Sequence, residues 1–136
     1  MSKTVSSLTL DDEHVTIGTT DTLQEAAKRL MTIHGGILIV LNDEQHVQGV
    51  IGQRQLIQSI ADGLDMKTTQ CHEIMEMDFM MVELEDPLPE VLTKIKQRSP
   101  QAVVAVDEQH EFVGYFSPND YQEAMNLVKN LKSLNL

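Results

Sequence analysis

Residues 102–120 read AVVAVDEQHEFVGYFSPND, and residues 37–55 read ILIVLNDEQHVQGVIGQRQ. Each stretch is a run of five apolar residues, a polar turn, a second apolar run and a polar junction. Both read as a buried strand, a hairpin-like turn and a second strand. With the chain shifted by 65, Gly49 falls on Gly114, Leu23 on Leu88, Glu25 on Glu90 and Asp21 on Asp86. The tetrapeptide DEQH occurs at 43–46 and again at 107–110, one residue out of step, which reads as a slip in the turn. Identities are few, but the apolar pattern stays in register. A period of this kind marks an internal duplication.

The same order of elements precedes and follows the two strands in each half. A short strand, HVTI or MMVEL, comes first. A helix follows: Leu23, Ala26, Ala27, Leu30 and Met31 share one face at helical spacing, and Leu88, Val91, Leu92 and Ile95 repeat the stripe. Thr22 and Glu25 fit a reciprocal capping box. In the second half Asp86 is the cap, and Pro87 takes the first-turn position that tolerates proline. A second helix closes each half. Leu56, Ile57 and Ile60 mark one, with Gly63 as its stop. Tyr121, Ala124, Met125, Val128 and Leu131 mark the other, to about Leu134. The fold expected is α/β (α+β): two intertwined β-α-β-β-α repeats related by pseudo-twofold symmetry. Their bounds are 1–63 with an N-terminal lead-in, a connector over 64–80, and 81–136.

Composition narrows the function classes. The chain has 136 residues, 41% of them apolar, and a formal charge of −11. That charge disfavours a nucleic-acid backbone or an anionic membrane surface as partner. No apolar run approaches the ~18 residues of a membrane span, and MSKTVSSLTLDDEH lacks the apolar core of a secretory signal. Cys71 is the single cysteine, which suits a reducing cytoplasm. Cys71 has no activating neighbour beyond His72 and reads as unreactive. The five histidines have no compact metal-ligand spacing, so no metal site is expected. No nucleophile elbow, P-loop, zincin motif or dinucleotide fingerprint is present, so no catalytic residues are assigned and the chain is not read as an enzyme. Five methionines between 66 and 81 read as packing or a dimer contact.

The duplicated β-α-β-β-α order, the VDEQHEFVG turn and the GYFSPND junction resemble a pair of CBS domains, the cystathionine-β-synthase repeat. Two such repeats form a Bateman module. The connector CHEIMEMDFMMVEL is similar to the family's usual run into a second repeat, and the resemblance extends from about His14 to Met125. It implies a regulatory module that binds an adenosine compound, of the AMP, ADP, ATP or S-adenosylmethionine type, with AMP as the leading class. The family's ribose motif is a glycine, two apolar residues, a Ser or Thr, two variable residues and an Asp. Gly114, Tyr115, Phe116, Ser117 and Asp120 match it throughout. The first repeat departs, with Gly52 in the hydroxyl position and Gln55 in the acid position, so its site is expected to be degenerate. By position, the resemblance draws a base pocket from Val15, Gly35, Gly36 and Ile37. The basic residue that phosphate-binding members often carry is absent at Gln101 and Ala102, leaving His34 and Arg54 as the remaining candidates for a phosphate. A homodimer and an unidentified effector protein, acting in trans, are the implied partners.

Two readings stay open for each of the two sharpest features. Ser117-Pro118-Asn119-Asp120 is an ordinary helix start as well as a ribose motif. Gly35-Gly36 is a helix C-cap as well as room for a flat ring. The competing function is a ligand-free dimerisation or docking module with relic sites.

Overall fold

The computed structural model describes the backbone of residues 3–134 and the side chains of residues 3–129. It contains two three-stranded sheets and five α-helices, in the order expected twice over. The first sheet holds β1 (His14–Gly18), β2 (Ile37–Leu41) and β3 (Val47–Ile51), in that spatial order. Strand β1 runs parallel to β2, through the crossover helix α1 (Leu23–Leu30), and β3 returns antiparallel. Helix α2 (Gln53–Ala61) follows. A one-turn helix α3 (Cys71–Ile74) then breaks the connector, where the sequence suggested no element. The second sheet holds β4 (Phe79–Glu83), β5 (Ala102–Val106) and β6 (Phe112–Phe116), with α4 (Leu88–Arg98) and α5 (Pro118–Leu134).

The duplication reaches individual hydrogen bonds. Asp21 accepts from the Gly18 amide at 2.9 Å, and Asp86 accepts from the Glu83 amide at 2.8 Å, closing the strand-to-helix turn in each half. Asn42 Oδ1 accepts from the amides of Glu44 and His46, and Asp107 Oδ1 from those of Gln109 and Glu111. Gln45 and His110 take the left-handed backbone in those turns, with φ of 68° and 64°. These pairs keep the 65-residue step. The turn therefore has not slipped, and the offset DEQH identity is fortuitous.

Several details of the helix ends and faces differ from expectation. Thr22 caps α1 by accepting from the Glu25 amide, but the Glu25 carboxylate pairs with Arg29 at 3.1 Å instead of reaching back. Pro87, not Asp86, is the N-cap of α4, and Pro89 occupies its first turn. Helix α1 buries Leu23, Ala26 and Leu30, whereas Ala27 is exposed and Met31 is 84% exposed. Helix α2 buries Leu56 and leaves Ile57 and Ile60 65% exposed each. A helix lying on a small sheet needs only a narrow apolar stripe, so the flanking apolar positions face outward. Gly63 does stop α2, with φ of 79°. The Leu131 side chain lies outside the described side chains.

The chain divides into two compact units, and the division does not follow the repeats. One unit runs from Glu13 to Phe79; the other joins the lead-in up to Asp12 with the chain from Met80 onward. The lead-in, grouped by sequence with the first repeat, therefore packs on the second. Its short 3-10 turn, Val5–Ser7, places the Val5 and Ser6 amides on the carbonyls of Asp86 and Leu84, at 3.0 and 2.8 Å. In the other unit the Cys71 and His72 amides bond the carbonyls of Asp21 and Thr19, at 2.8 and 3.0 Å. Thr4 bridges Pro87 as Gln70 bridges Thr22. Each repeat is thus completed by the segment that precedes the other.

The two cores follow that division. Val5, Leu8, Val82, Leu88, Val91, Ala105, Phe116 and Ala124 pack in one; Ile17, Leu23, Ala26, Leu38, Val40, Ile51 and Cys71 pack in the other. Gly49 and Gly114 are equivalent and both lie under the covering segment. A Cβ at Gly49 would stand 2.6 Å from Met75, and one at Gly114 would stand 3.0 Å from Leu10.

Candidate functional site

The junction of β6 and α5 is built by its own capping. Ser117 is the N-cap, Pro118 opens the helix, and Asp120 is the third helical residue. The Asp120 amide donates to Ser117 Oγ at 3.1 Å, and the Ser117 amide donates to Asp120 Oδ2 at 3.0 Å. This is a complete reciprocal box, with an aspartate doing what glutamate usually does. Ser117 and Asp120 are buried, at 4% and 3% exposure. Ser117 Oγ also lies 3.1 Å from Asp120 Oδ2 and bonds Asp12 Oδ2 of the lead-in. One hydroxyl proton therefore serves two carboxylates.

The bonds Asp120 receives all fall on Oδ2. Oδ1 takes part in none of them, and no buried side-chain nitrogen or oxygen among the described residues lacks a partner. Oδ1 is therefore the carboxylate oxygen of Asp120 that the cap does not use. Burial pushes the Asp120 carboxyl up, the Ser117 amide and hydroxyl pull it back, and Asp12 and Glu123 push it up again. Tyr115 is raised too, first by burial and then by Asp12 and Asp120.

A cavity of about 410 Å³ opens beside this junction. Pro100, Gln101, Ala102 and Val103 line one side, at the start of β5. Tyr115, Phe116, Ser117, Tyr121 and Gln122 line it from β6 and α5, and Ile95 contributes from α4. No Lys, Arg or His is among the lining residues. The lining is mostly apolar and aromatic, with a few hydrogen-bonding groups among it, as a small-molecule pocket requires.

The equivalent junction in the first repeat keeps the cap and loses the chemistry. Gln55 Oε1 accepts from the Gly52 amide at 2.8 Å, as Asp120 does from Ser117. Gly52 supplies no hydroxyl, and the amide at Gln55 carries no charge. Val15, Gly35, Gly36 and Ile37 also lie in the first unit. Val15 is on β1, paired with Leu38, and Ile37 opens β2 opposite His14. Gly36 has φ of 115°, and a Cβ there would stand 2.2 Å from the Glu13 carbonyl oxygen, so the glycine serves a backbone crossing. Gly35 has open space around it. Neither caps α1, whose C-cap is Met31. His34 and Arg54 are exposed and belong to the same unit.

The structure thus brings Ser117 and Asp120 together and adds Asp12 and Tyr115, which sequence reasoning missed. Asp12 stands 105 residues from Ser117. Its only sequence signal is the acidic run DDE at 11–13, which looks like ordinary surface. Tyr115 was visible merely as an apolar position of the motif.

Cys71 is fully buried, and burial with the Asp21 charge raises its thiol to about 11, so it is not a nucleophile at neutral pH. Among the described residues no group of three or more His, Cys, Asp or Glu is placed to hold a metal ion, and no helix is long and apolar enough to cross a membrane.

The CBS domain family model matches residues 5–62 and 71–127. The chain belongs to the CBS domain family. The first match spans a complete β-α-β-β-α set and the second runs from before β4 into α5, so the chain is a CBS domain pair. Solved structures agree on the fold. An uncharacterized conserved protein from Pyrococcus horikoshii matches with a TM-score of 0.71 and 25% identity, covering 92% of this chain and 93% of that one. A CBS domain pair/ACT domain protein from Thermotoga maritima gives a TM-score of 0.69 and 22% identity, over 92% and 98%. The cytosolic domain of the Mg2+ channel MgtE, solved in complex with ATP, gives 0.66 and 21%, over 81% of this CBS pair and 44% of that chain. No curated protein shows significant sequence similarity to this CBS pair.

Proposed function

We propose that this CBS pair is a regulatory module, not a catalyst, that binds an adenosine compound at the Ser117–Asp120 junction. The observation that carries this reading is the buried Asp120 carboxylate, whose Oδ1 the cap does not use, held against Ser117, which lines an apolar, aromatic cavity. A ribose hydroxyl donating to that oxygen makes a charge-assisted bond, worth roughly twice a neutral one. The cavity walls from β5 and α5 suit a flat base. The ATP complex of the MgtE cytosolic domain, which shares the fold, lends support to an adenosine-type ligand; AMP or S-adenosylmethionine is the class proposed. The first junction, with Gly52 and Gln55, offers neither a hydroxyl nor a carboxylate and is proposed to be ligand-free.

Ligand binding in such a module acts by shifting a population, and only through its unequal affinity for two states. The proposed recipients of the signal are a second copy of the chain and an effector protein. Met31, Ile57 and Ile60, exposed on α1 and α2, are the residues proposed for self-association. A reducing, cytoplasmic setting fits the single buried thiol.

The test is a thermal-shift panel of adenosine, AMP, ADP, ATP and S-adenosylmethionine on wild type and Asp120→Asn. Asparagine keeps an acceptor for the Ser117 amide, as Gln55 does at the first junction, so the helix stays capped. At 100 times Kd a ligand raises stability by about 2.7 kcal/mol. Loss of the carboxylate is expected to weaken binding about 10- to 100-fold. No shift with any compound would leave the docking module as the function.

A further inference from the structure

The two halves do not carry the same residues at equivalent exposed positions of their helices. At the 65-residue step Met31 falls on Lys96, Leu64 on Lys129, Ile57 on Gln122 and Ile60 on Met125. All are exposed. The first half is apolar at these positions. The second keeps Met125 and has lysine at both Lys96 and Lys129.

In the second unit α4 and α5 pack together and leave a groove of about 560 Å³. Leu92, Tyr121, Met125 and Val128 line it, with Lys96 from one helix and Lys129 from the other. No carboxylate is among the lining residues, and Glu90 and Glu123, on the same helices, lie outside it. Neither lysine is ion-paired among the described residues. The groove is thus a local excess of positive charge on a chain whose formal charge is −11.

The lining runs from Pro89 to Lys96 on α4 and from Tyr121 to Lys129 on α5, roughly 10 Å of each helix, or about two turns. Over that length a docked helix presents side chains at i, i+3, i+4 and i+7. A second copy of the chain is a poor occupant. Groove laid on groove about a twofold axis brings the lysines of both copies into one contact, and like charges at a contact are costly. A nucleic acid has phosphates for the lysines but no apolar side chain for Leu92 and Met125, and the net charge repels it. An acidic amphipathic helix satisfies both parts of the lining.

We propose that the α4–α5 groove is the docking site of the effector protein, and that it takes an amphipathic helix whose apolar stripe is flanked by carboxylates that meet Lys96 and Lys129. This rests on the regulatory reading given above and names the chemistry of the partner. The duplication then separates two jobs. The positions proposed for self-association in the first repeat are, in the second, given over to a different protein.

Fluorescence anisotropy of the full chain with two ~15-residue helical peptides tests it. Both peptides carry leucine at i, i+3, i+4 and i+7, flanked by glutamate in one and by lysine in the other. Wild type is expected to bind the glutamate peptide at least about 10-fold more tightly than the lysine peptide. Lys96→Glu with Lys129→Glu is expected to weaken the glutamate peptide about 10-fold and to tighten the lysine peptide. Lys3→Glu with Lys67→Glu makes an equal charge change at exposed positions outside the groove, and is expected to move either peptide by less than about 2-fold. Lys96→Ala with Lys129→Ala guards against damage from acids near a helix C-terminus, and is expected to weaken the glutamate peptide about 3-fold. A wild type that does not prefer the glutamate peptide, or two glutamate variants that act alike, overturns the proposal. Sedimentation covers the second copy. Reversing Lys96 and Lys129 is expected to leave self-association unchanged, and a change assigns the groove to another copy and also overturns the proposal. The adenosine panel on Asp120→Asn reads the ligand site alone, so failure of the regulatory reading and failure of the groove are told apart.

Discussion

At the scale of single residues, the second junction shows a helix cap and a candidate ribose acceptor made from one carboxylate. Oδ2 of Asp120 holds the helix start and the proposed ribose contact falls to Oδ1, so the two roles would use different atoms. The cap has a pH signature. Burial raises the folded-state pKa of Asp120 above its ordinary 3.8, and the unfolded chain keeps the ordinary value. The folded protein then holds this proton more tightly. Its contribution to stability is fully present below the unfolded value and is lost as pH rises through the folded one. Asp120→Asn holds no such proton. The melting temperature of wild type minus that of the variant is expected to be most favourable to wild type near pH 4, and to fall toward pH 7. A difference that stays flat, or rises with pH, contradicts a raised Asp120. The cap and the motif were both legible in SPND, because each depends on residues three apart. Asp12 was not legible, because nothing local to DDE points to a serine more than a hundred residues away.

At the scale of elements, strands and helices were legible wherever a periodic apolar pattern was long enough, and their edges were decided by packing. The crossover from α1 to β2 is an example. TIHGG looks like a helix end, but α1 stops at Leu30, and Gly36 instead lets the chain pass the Glu13 carbonyl. The two glycines are therefore unequal. Gly36→Ala forces a side chain into a positive-φ backbone and against a carbonyl oxygen, and is expected to cost about 2 kcal/mol or more. Gly35→Ala meets nothing and is expected to be neutral within about 0.5 kcal/mol. Urea unfolding of the two variants decides the point: equal losses would mean that the crossing does not depend on Gly36. The exposed flanks of α1 and α2 were misread for a related reason. Periodicity marks an apolar face, but its width beyond the central stripe depends on how much sheet lies beneath. Helix α3 was invisible, since four residues hold too little pattern to detect.

At the scale of the whole molecule, the duplication was plain in the sequence, but the exchange of the two covering segments was not. A 65-residue period says which segments are alike and is silent on which half each one joins. The exchange makes a prediction. Leu8 is 7% exposed and packs in the core of the second repeat, although it precedes the first. Leu8→Ala is expected to destabilise by about 2–5 kcal/mol. Hydrogen exchange should show the loss of protection in β4, β5 and β6, with β1, β2 and β3 little affected. The reverse pattern would place the lead-in with the first repeat. The division also orders events on the ribosome. The unit from Glu13 to Phe79 is one unbroken stretch, complete while the rest is still being made. The other must hold Val5 and Leu8 in waiting until the stretch from Met80 onward emerges to receive them. Closing so long a loop is slow. In the growing polypeptide Val5 and Leu8 thus emerge before the unit from Glu13 to Phe79 and are buried after it, a window in which a chaperone has something to hold.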